Sequence, residues 1–215
     1  MYAKALRTLQ AAAKYHADSI YLELELGLAQ VLGDDPSRAI ATCRRILSKE
    51  PNFGAARLLL AAAFYLTGEN QNCAAETEAA LRGSGALPHL YYLHAASLLK
   101  LNSKEYAVML HDLNEAKRGI PNCAFCYFAE SKVHQEMGDE GAAIADLEEL
   151  VTRVDAQFSQ GWYRLVNLYQ HAGRHDDAVK ALARFRSIKT KQTDLETEYL
   201  RNVFLSAAGA EQAGK

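Results

Sequence analysis

The chain has 215 residues, of which 49% are apolar and 23% charged, and its formal net charge is -2 at pH 7. That balance gives enough apolar surface for a continuous core but no clustered positive block, which excludes nucleic-acid binding driven by phosphate contacts. No apolar run approaches the length needed to span a bilayer, so direct membrane insertion is not expected either.

Residues 2–16, YAKALRTLQAAAKYH, predict a helix with Ala5, Leu6, Leu9, Ala12 and Ala13 on one side. Met1 leads straight into it with no signal-peptide pattern, which points to the cytoplasm. Asp18 and Ser19 supply an N-cap for the next helix. A first helical hairpin then runs from about Ser19 to Pro51, with Pro36 placed in the first turn of its second helix. The second hairpin, about 54–82, opens with GAARLLLAAAFYLTG, apolar on nearly every side. A helix of that kind is normally buried all round. Residues Gly83–Leu87 read as a connector, and the third hairpin, about 89–121, turns at Leu101-Asn102-Ser103-Lys104.

The fourth hairpin, 124–154, carries Gly138, Ala143, Ile144, Leu147, Leu150 and Val151. In the fifth, Trp162, Leu165, Val166 and Tyr169 share one helix face, Gly173 breaks the run, and Ala178, Val179, Leu182 and Phe185 begin a second face. After a polar break at Lys189–Gln192, Thr193 or Asp194 caps a final helix. Its inner side holds Leu200, Val203, Phe204 and Ala207, and its outer side Glu196, Glu198, Arg201 and Asn202. Residues 1–207 are thus expected to form a single helical repeat domain and 208–215 a disordered tail.

These hairpins keep time. Gly33, Gly68, Ser103, Gly138 and Gly173 follow one another at 35 residues, and four of the five are glycine in a chain with only 13. A fixed period of that size means a stacked array, because one hairpin cannot bury its own apolar face. Outward from each turn, Ala39, Cys73, Met109, Ala143 and Ala178 stand where the second helix meets the first, and Leu26, Ala61, Ala96, Ser131 and Val166 stand in the first helix. Pro51 and Pro121 punctuate two unit ends.

The fifth hairpin resembles a tetratricopeptide repeat, whose pattern W-x₂-L-G-x₂-Y with a later alanine is matched by Trp162, Leu165, Tyr169 and Ala178. Val166 replaces the usual small residue. The resemblance covers nearly the whole chain. It implies an all-α, right-handed superhelical solenoid of antiparallel helix hairpins, with about five repeats, a leading half-repeat and a C-terminal capping helix. The leading half-repeat, helix 2–16, is what a cut from a longer protein would leave.

Chemistry is poorly provided for. Cys123 and Cys126 form a C-x-x-C at the start of a helix, but both flanks are helical and no second C-x-x-C exists for zinc. Cys43 and Cys73 read as small core residues. His171 and His175 have i,i+4 spacing with Gly173 between them in the turn, and His134 takes the place of Tyr169 one unit earlier. No triad motif and no phosphate loop occurs, so an enzyme, a metal site and a cofactor are not expected.

What remains is the inner surface that the first helices would share. Counting back from each turn residue gives Leu58 and Tyr65, then Leu93, then Phe128 and Lys132, then Tyr163 and Asn167, with Phe125 and Arg164 beside them. This face is apolar and aromatic through the middle and tends to positive charge toward the C-terminal end. The expected function is a non-catalytic interaction module that holds an apolar or amphipathic peptide or helix in that groove. Self-association through the groove or through the N-terminal end is a further expectation. Relatives in the resembled family clamp a C-terminal carboxylate with lysines and asparagines. Only Lys132, Arg164 and Asn167 fit that role here, so recognition of such a tail is not expected. The alternative reading is a structural spacer or assembly segment of a larger multi-domain protein.

Overall fold

The computed structural model describes residues 2–16, 19–33, 35–83 and 87–188. Asp18, residues 84–86 of the connector, the polar break, the final helix and the tail lie outside the described residues. Among the described residues the chain is helical throughout, with no strand. Eleven α-helices follow in order: α1 (Tyr2–Tyr15), α2 (Ile20–Leu32), α3 (Pro36–Lys49), α4 (Gly54–Leu66), α5 (Asn70–Leu81), α6 (Pro88–Lys100), α7 (Tyr106–Gly119), α8 (Ala124–Glu136), α9 (Glu140–Glu149), α10 (Ser159–His171) and α11 (His175–Ser187). A single π-helical turn, Leu150–Val154, extends α9. The chain divides into two compact units, Met1–Ser97 with Asp194–Lys215, and Leu98–Thr193.

In the first unit, α2 starts where Ser19 accepts a hydrogen bond from the Leu22 amide, and α3 where Asp35 accepts one from the Arg38 amide just ahead of Pro36. α2 packs on α1 and α3, and α4 packs on α3 and α5 and touches α2. Every residue of α4 from Leu58 to Tyr65 is buried, as its all-round apolar sequence requires. In the second unit, α8 packs on α7 and α9, and α10 on α9 and α11.

The turns set the register. After each first helix one amide bonds back five residues: Asp35 to Gln30, Glu69 to Phe64, Ser103 to Leu98, Asp139 to His134 and Arg174 to Tyr169, all at 2.8–3.0 Å. Just before that donor stands a residue with left-handed backbone: Gly68, Gly138 and Gly173 at φ 71–81°, and Asn102 at φ 52°. This is the helix stop that glycine or asparagine serves best. The donors are separated by 34, 34, 36 and 35 residues.

A uniform period of 35 is therefore corrected. In the third hairpin the left-handed residue is Asn102, one place before Ser103, and Gly33 has an ordinary negative φ of -91°. The third turn is two residues longer than the others, because α7 starts only at Tyr106. The π turn adds the last extra residue, its Asp155 amide bonding the Leu150 carbonyl.

With the register fixed by these bonds, Gly27, Ala61, Ala95, Ser131 and Val166 share one place in the first helices, all of them buried. A Cβ on Gly27 would lie 3.0 Å from Leu59 Cδ2, so the small residue there lets α2 and α4 close up. Leu26 and Ala96, expected there from the sequence, lie one place away from Gly27 and Ala95. On the second helices Ala39, Cys73, Met109, Ala143 and Ala178 are all buried where hairpin partners meet.

Candidate functional site

Two places in each first helix define the face opposite the second helices. Leu24, Leu58, Tyr92, Phe128 and Tyr163 share one of them, and Leu28, Ala62, Ala96, Lys132 and Asn167 share the other. The two units fill them differently. In the first unit Leu58 and Tyr65 are only 1% and 4% exposed. Leu93 is fully buried, because the corrected register puts Tyr92 rather than Leu93 on this face. In the second unit Phe125 is 8% exposed and belongs to the core, its ring set edge-on against Phe158 with centroids 5.2 Å apart.

The accessible members sit together in the second unit, on α8 and α10. Phe128 is half-buried, with its ring 5.4 Å from that of Phe158. Two cations flank it: Lys132 Nζ lies 4.4 Å from the ring centroid and the Arg164 guanidinium carbon 5.8 Å. Contacts of this kind draw cations to aromatic faces and hold them at fixed places. Arg164 also donates through an Nη to the Gln135 side-chain carbonyl, whereas its buried Nε has no hydrogen-bond partner. Burial holds Arg164 below the usual guanidinium value, with the nearby charge of Glu136 acting against that shift. Tyr163 is 55% exposed and packs its ring 5.5 Å from that of Phe185, and Asn167 is exposed beside it. The result is an aromatic patch flanked by two cations, a chemistry that suits a carboxylate and an apolar group side by side.

Ion pairs occupy other inward places. On α8, Glu130 pairs with Lys117 of α7, and His134 Nδ1 lies 2.6 Å from Asp146 Oδ2 of α9. His134 is thus half-buried and held by a carboxylate. Burial raises the Asp146 carboxyl above its usual range, with Glu130 adding to the shift and the bond to His134 opposing it. His171 ends α10 and His175 begins α11, on opposite sides of the Gly173 turn. Among the described residues no group of three or more metal-ligating side chains forms. None of the described helices is long and apolar enough to cross a membrane.

Cys123 and Cys126 form a disulfide at the start of α8, with Cα atoms 5.3 Å apart and both residues buried. Sequence alone left that pairing open. Cys43 and Cys73 are free and buried, and desolvation pushes the Cys43 thiol up to about 12. In the first unit a cleft of about 530 Å³ opens between α3, α4 and α5, with Leu60 and Phe64 at its floor. Arg44 lies over the Phe64 ring at 5.6 Å and Arg57 pairs with Glu76 at 2.7 Å on its rim.

No family model matches the sequence, and no curated protein matches it. Solved structures do. MamA 41-end from Desulfovibrio magneticus RS-1 is similar at TM-score 0.70 and 16% identity, over 82% of this chain and 98% of that one. YrrB, described as a TPR protein with an unusual peptide-binding site, is similar at TM-score 0.66 and 15% identity, over 87% and 95%. TTC0263, a thermophilic TPR protein of Thermus thermophilus, is similar at TM-score 0.62 and 19% identity, over 87% and 99%. Likeness at these identities concerns the fold.

Proposed function

The chain has the tetratricopeptide-repeat fold, and from that premise we propose that it is a non-catalytic interaction module that binds an amphipathic peptide or helix segment. The contacts are assigned to the second unit. Apolar side chains of the segment meet Phe128 and Tyr163, its carboxylates meet Lys132 and Arg164, and Asn167 bonds its backbone. The observation that carries this reading is the flanking of one accessible aromatic ring by two cations, one with a buried, unpartnered Nε. A carboxylate placed beside the guanidinium would pair with its charge and offset the desolvation that Arg164 already suffers. Leu58, Tyr65 and Leu93 stay outside the contact set because they are buried, and Phe125 and Phe128 both pack on the ring of Phe158.

The test uses immobilised amphipathic helical peptides of equal apolar content, one acidic and one basic on the polar face. The acidic peptide should bind and the basic one should not. Binding should weaken as salt is raised, since the rim charges are screened. Lys132→Gln with Arg164→Gln should lose about tenfold in affinity, which is about 1.4 kcal/mol. Phe128→Glu should abolish binding. Equal binding of both peptides, or full affinity in the double variant, would sink the assignment. If no peptide binds at all, the spacer reading takes its place.

A further inference from the structure

We propose that the cleft between α3, α4 and α5 is a second docking site. Its occupant is a short extended segment of a partner protein, carrying an apolar side chain and a carboxylate two residues apart. The cleft arises from the way the hairpins stack. α3 and α5 both pack on α4, and the space of about 530 Å³ left between them has α4 for its floor. Leu60 and Phe64 form that floor and are buried, so the bottom of the cleft is apolar and fixed. The charges on its walls do not balance. Arg57 and Glu76 neutralise each other at 2.7 Å, with Arg57 Nε also donating to the Pro51 carbonyl at 3.0 Å. Arg44 is exposed, and its guanidinium carbon lies 5.6 Å from the Phe64 ring centroid. Among the described residues it pairs with no carboxylate. The cleft therefore carries one net positive charge, held beside an aromatic ring.

Size and charge name the occupant. Arg57 and Phe64 both line the cleft and stand two turns apart on α4, so it runs for about 10 Å. Over that length its volume leaves a section of about 50 Å², too narrow for a helix, whose diameter with side chains is about 10–12 Å. An extended segment fits, and about three of its residues cover the same distance. Alternate side chains of such a segment point the same way and lie about 7 Å apart. One apolar side chain thus sits on Leu60 and Phe64 while a carboxylate two positions along pairs with Arg44. The Phe64 ring favours a phenyl group as the apolar member, in edge-on contact. A second acidic residue at the opposite end would meet Glu76, so the segment carries one carboxylate. The cleft lies in the first unit and shares no residue with the peptide site on α8 and α10, so the two assignments stand or fall separately.

Titration of the full chain with five-residue peptides, followed through its amide NMR signals, tests the assignment. The probes are acetyl-Ser-Phe-Ser-Glu-Ser-amide and the reversed acetyl-Ser-Glu-Ser-Phe-Ser-amide, both too short to form a helix. At millimolar concentration at least one of them should shift amides of α3, α4 and α5. Its glutamine counterpart should bind at least about fivefold more weakly. Arg44→Gln should remove that preference for glutamate. Ala75→Phe, which fills the cleft from its exposed wall, should abolish binding of both peptides. Arg44 and Ala75 are exposed, so both variants should keep the fold, and unchanged amide signals outside the cleft check this. Lys132→Gln with Arg164→Gln should leave the affinity as it was. Equal binding of the glutamate and glutamine peptides overturns the proposal, as does a preference that survives Arg44→Gln. The absence of any shift in α3–α5 also overturns it, including the case in which the acidic peptides shift only α8 and α10. So does 3-phenylpropionate binding as tightly as the peptides, since a small aromatic acid would then be the occupant.

Discussion

Single residues in this protein show how a repeat pattern tolerates polar groups at buried places. Where the fifth hairpin has Leu165 and Tyr169, the fourth has Glu130 and His134, and each finds a partner on a neighbouring helix: Lys117 and Asp146. A buried carboxylate costs free energy unless it is paired, and Asp146 is paired at the expense of its own solvation. The sign of its contribution follows. Its folded value lies above the ordinary 3.8, so the folded state holds the proton more tightly than the unfolded chain does. That contribution is fully present below the ordinary value and is lost as pH rises through the raised one. In urea titrations at a series of pH values, the parent should lose stability relative to Asp146→Asn across that interval. A constant difference between the two midpoints would show that Asp146 titrates normally. The cysteines give a second residue-scale expectation. Without reductant, the folded chain should show no fast-reacting thiol, because Cys43 and Cys73 are buried and Cys123 and Cys126 are bonded. Unfolding without reductant should release two thiols and unfolding with it four. Four thiols without reductant would mean that the disulfide is absent.

At the scale of helices and turns, the left-handed stops divide into strained and unstrained cases. A Cβ at Gly68, Gly138 or Gly173 would meet nothing within 4 Å, so the only cost of Gly173→Ala is its φ of +71°. We expect a loss of about 1–2 kcal/mol by urea unfolding, the usual penalty of a left-handed L-residue. Asn102→Gly should be neutral or slightly stabilising, whereas Ser103→Gly, which a uniform 35-residue register would favour, should lose stability with the hydroxyl's bonds to Glu105. This contrast also measures how far the sequence could be read. Hairpins, helix starts and the close-contact residues Ala39, Cys73, Met109, Ala143 and Ala178 were legible, because periodic apolar spacing and glycine stops are local signals. The register was not. Two extra residues in the third turn and one in the π turn pull the spacing away from 34, and all four spacings lie within one residue of 35. The site suffered in proportion. Phe128, Lys132, Tyr163, Arg164 and Asn167 lie in the hairpins nearest the template and form an accessible patch, whereas Leu93 falls off the face by that one-residue slip. Leu58 and Tyr65, expected on the inner face, are buried.

At the scale of the whole molecule, the question is how far a disturbance in one hairpin spreads. Stacked repeats contact only their neighbours, so their stability is approximately a sum of unit terms and nearest-neighbour terms. The division of contacts into Met1–Ser97 with Asp194–Lys215 and Leu98–Thr193 sets a natural boundary for such a disturbance. Ala143 is a good place to apply one, since it is fully buried where α9 meets α8. Leucine there adds three carbons to a packed contact and should cost about 1–3 kcal/mol. Under native conditions, Ala143→Leu should speed amide exchange throughout α8–α11 by a common factor. Amides of α2 and α4 should keep their parental rates, because nothing in their own packing has changed. The outcome against this view is a uniform loss of protection from α2 to α11. The array would then unfold as one cooperative body over residues 1–207, and the two compact units would carry no separate stability.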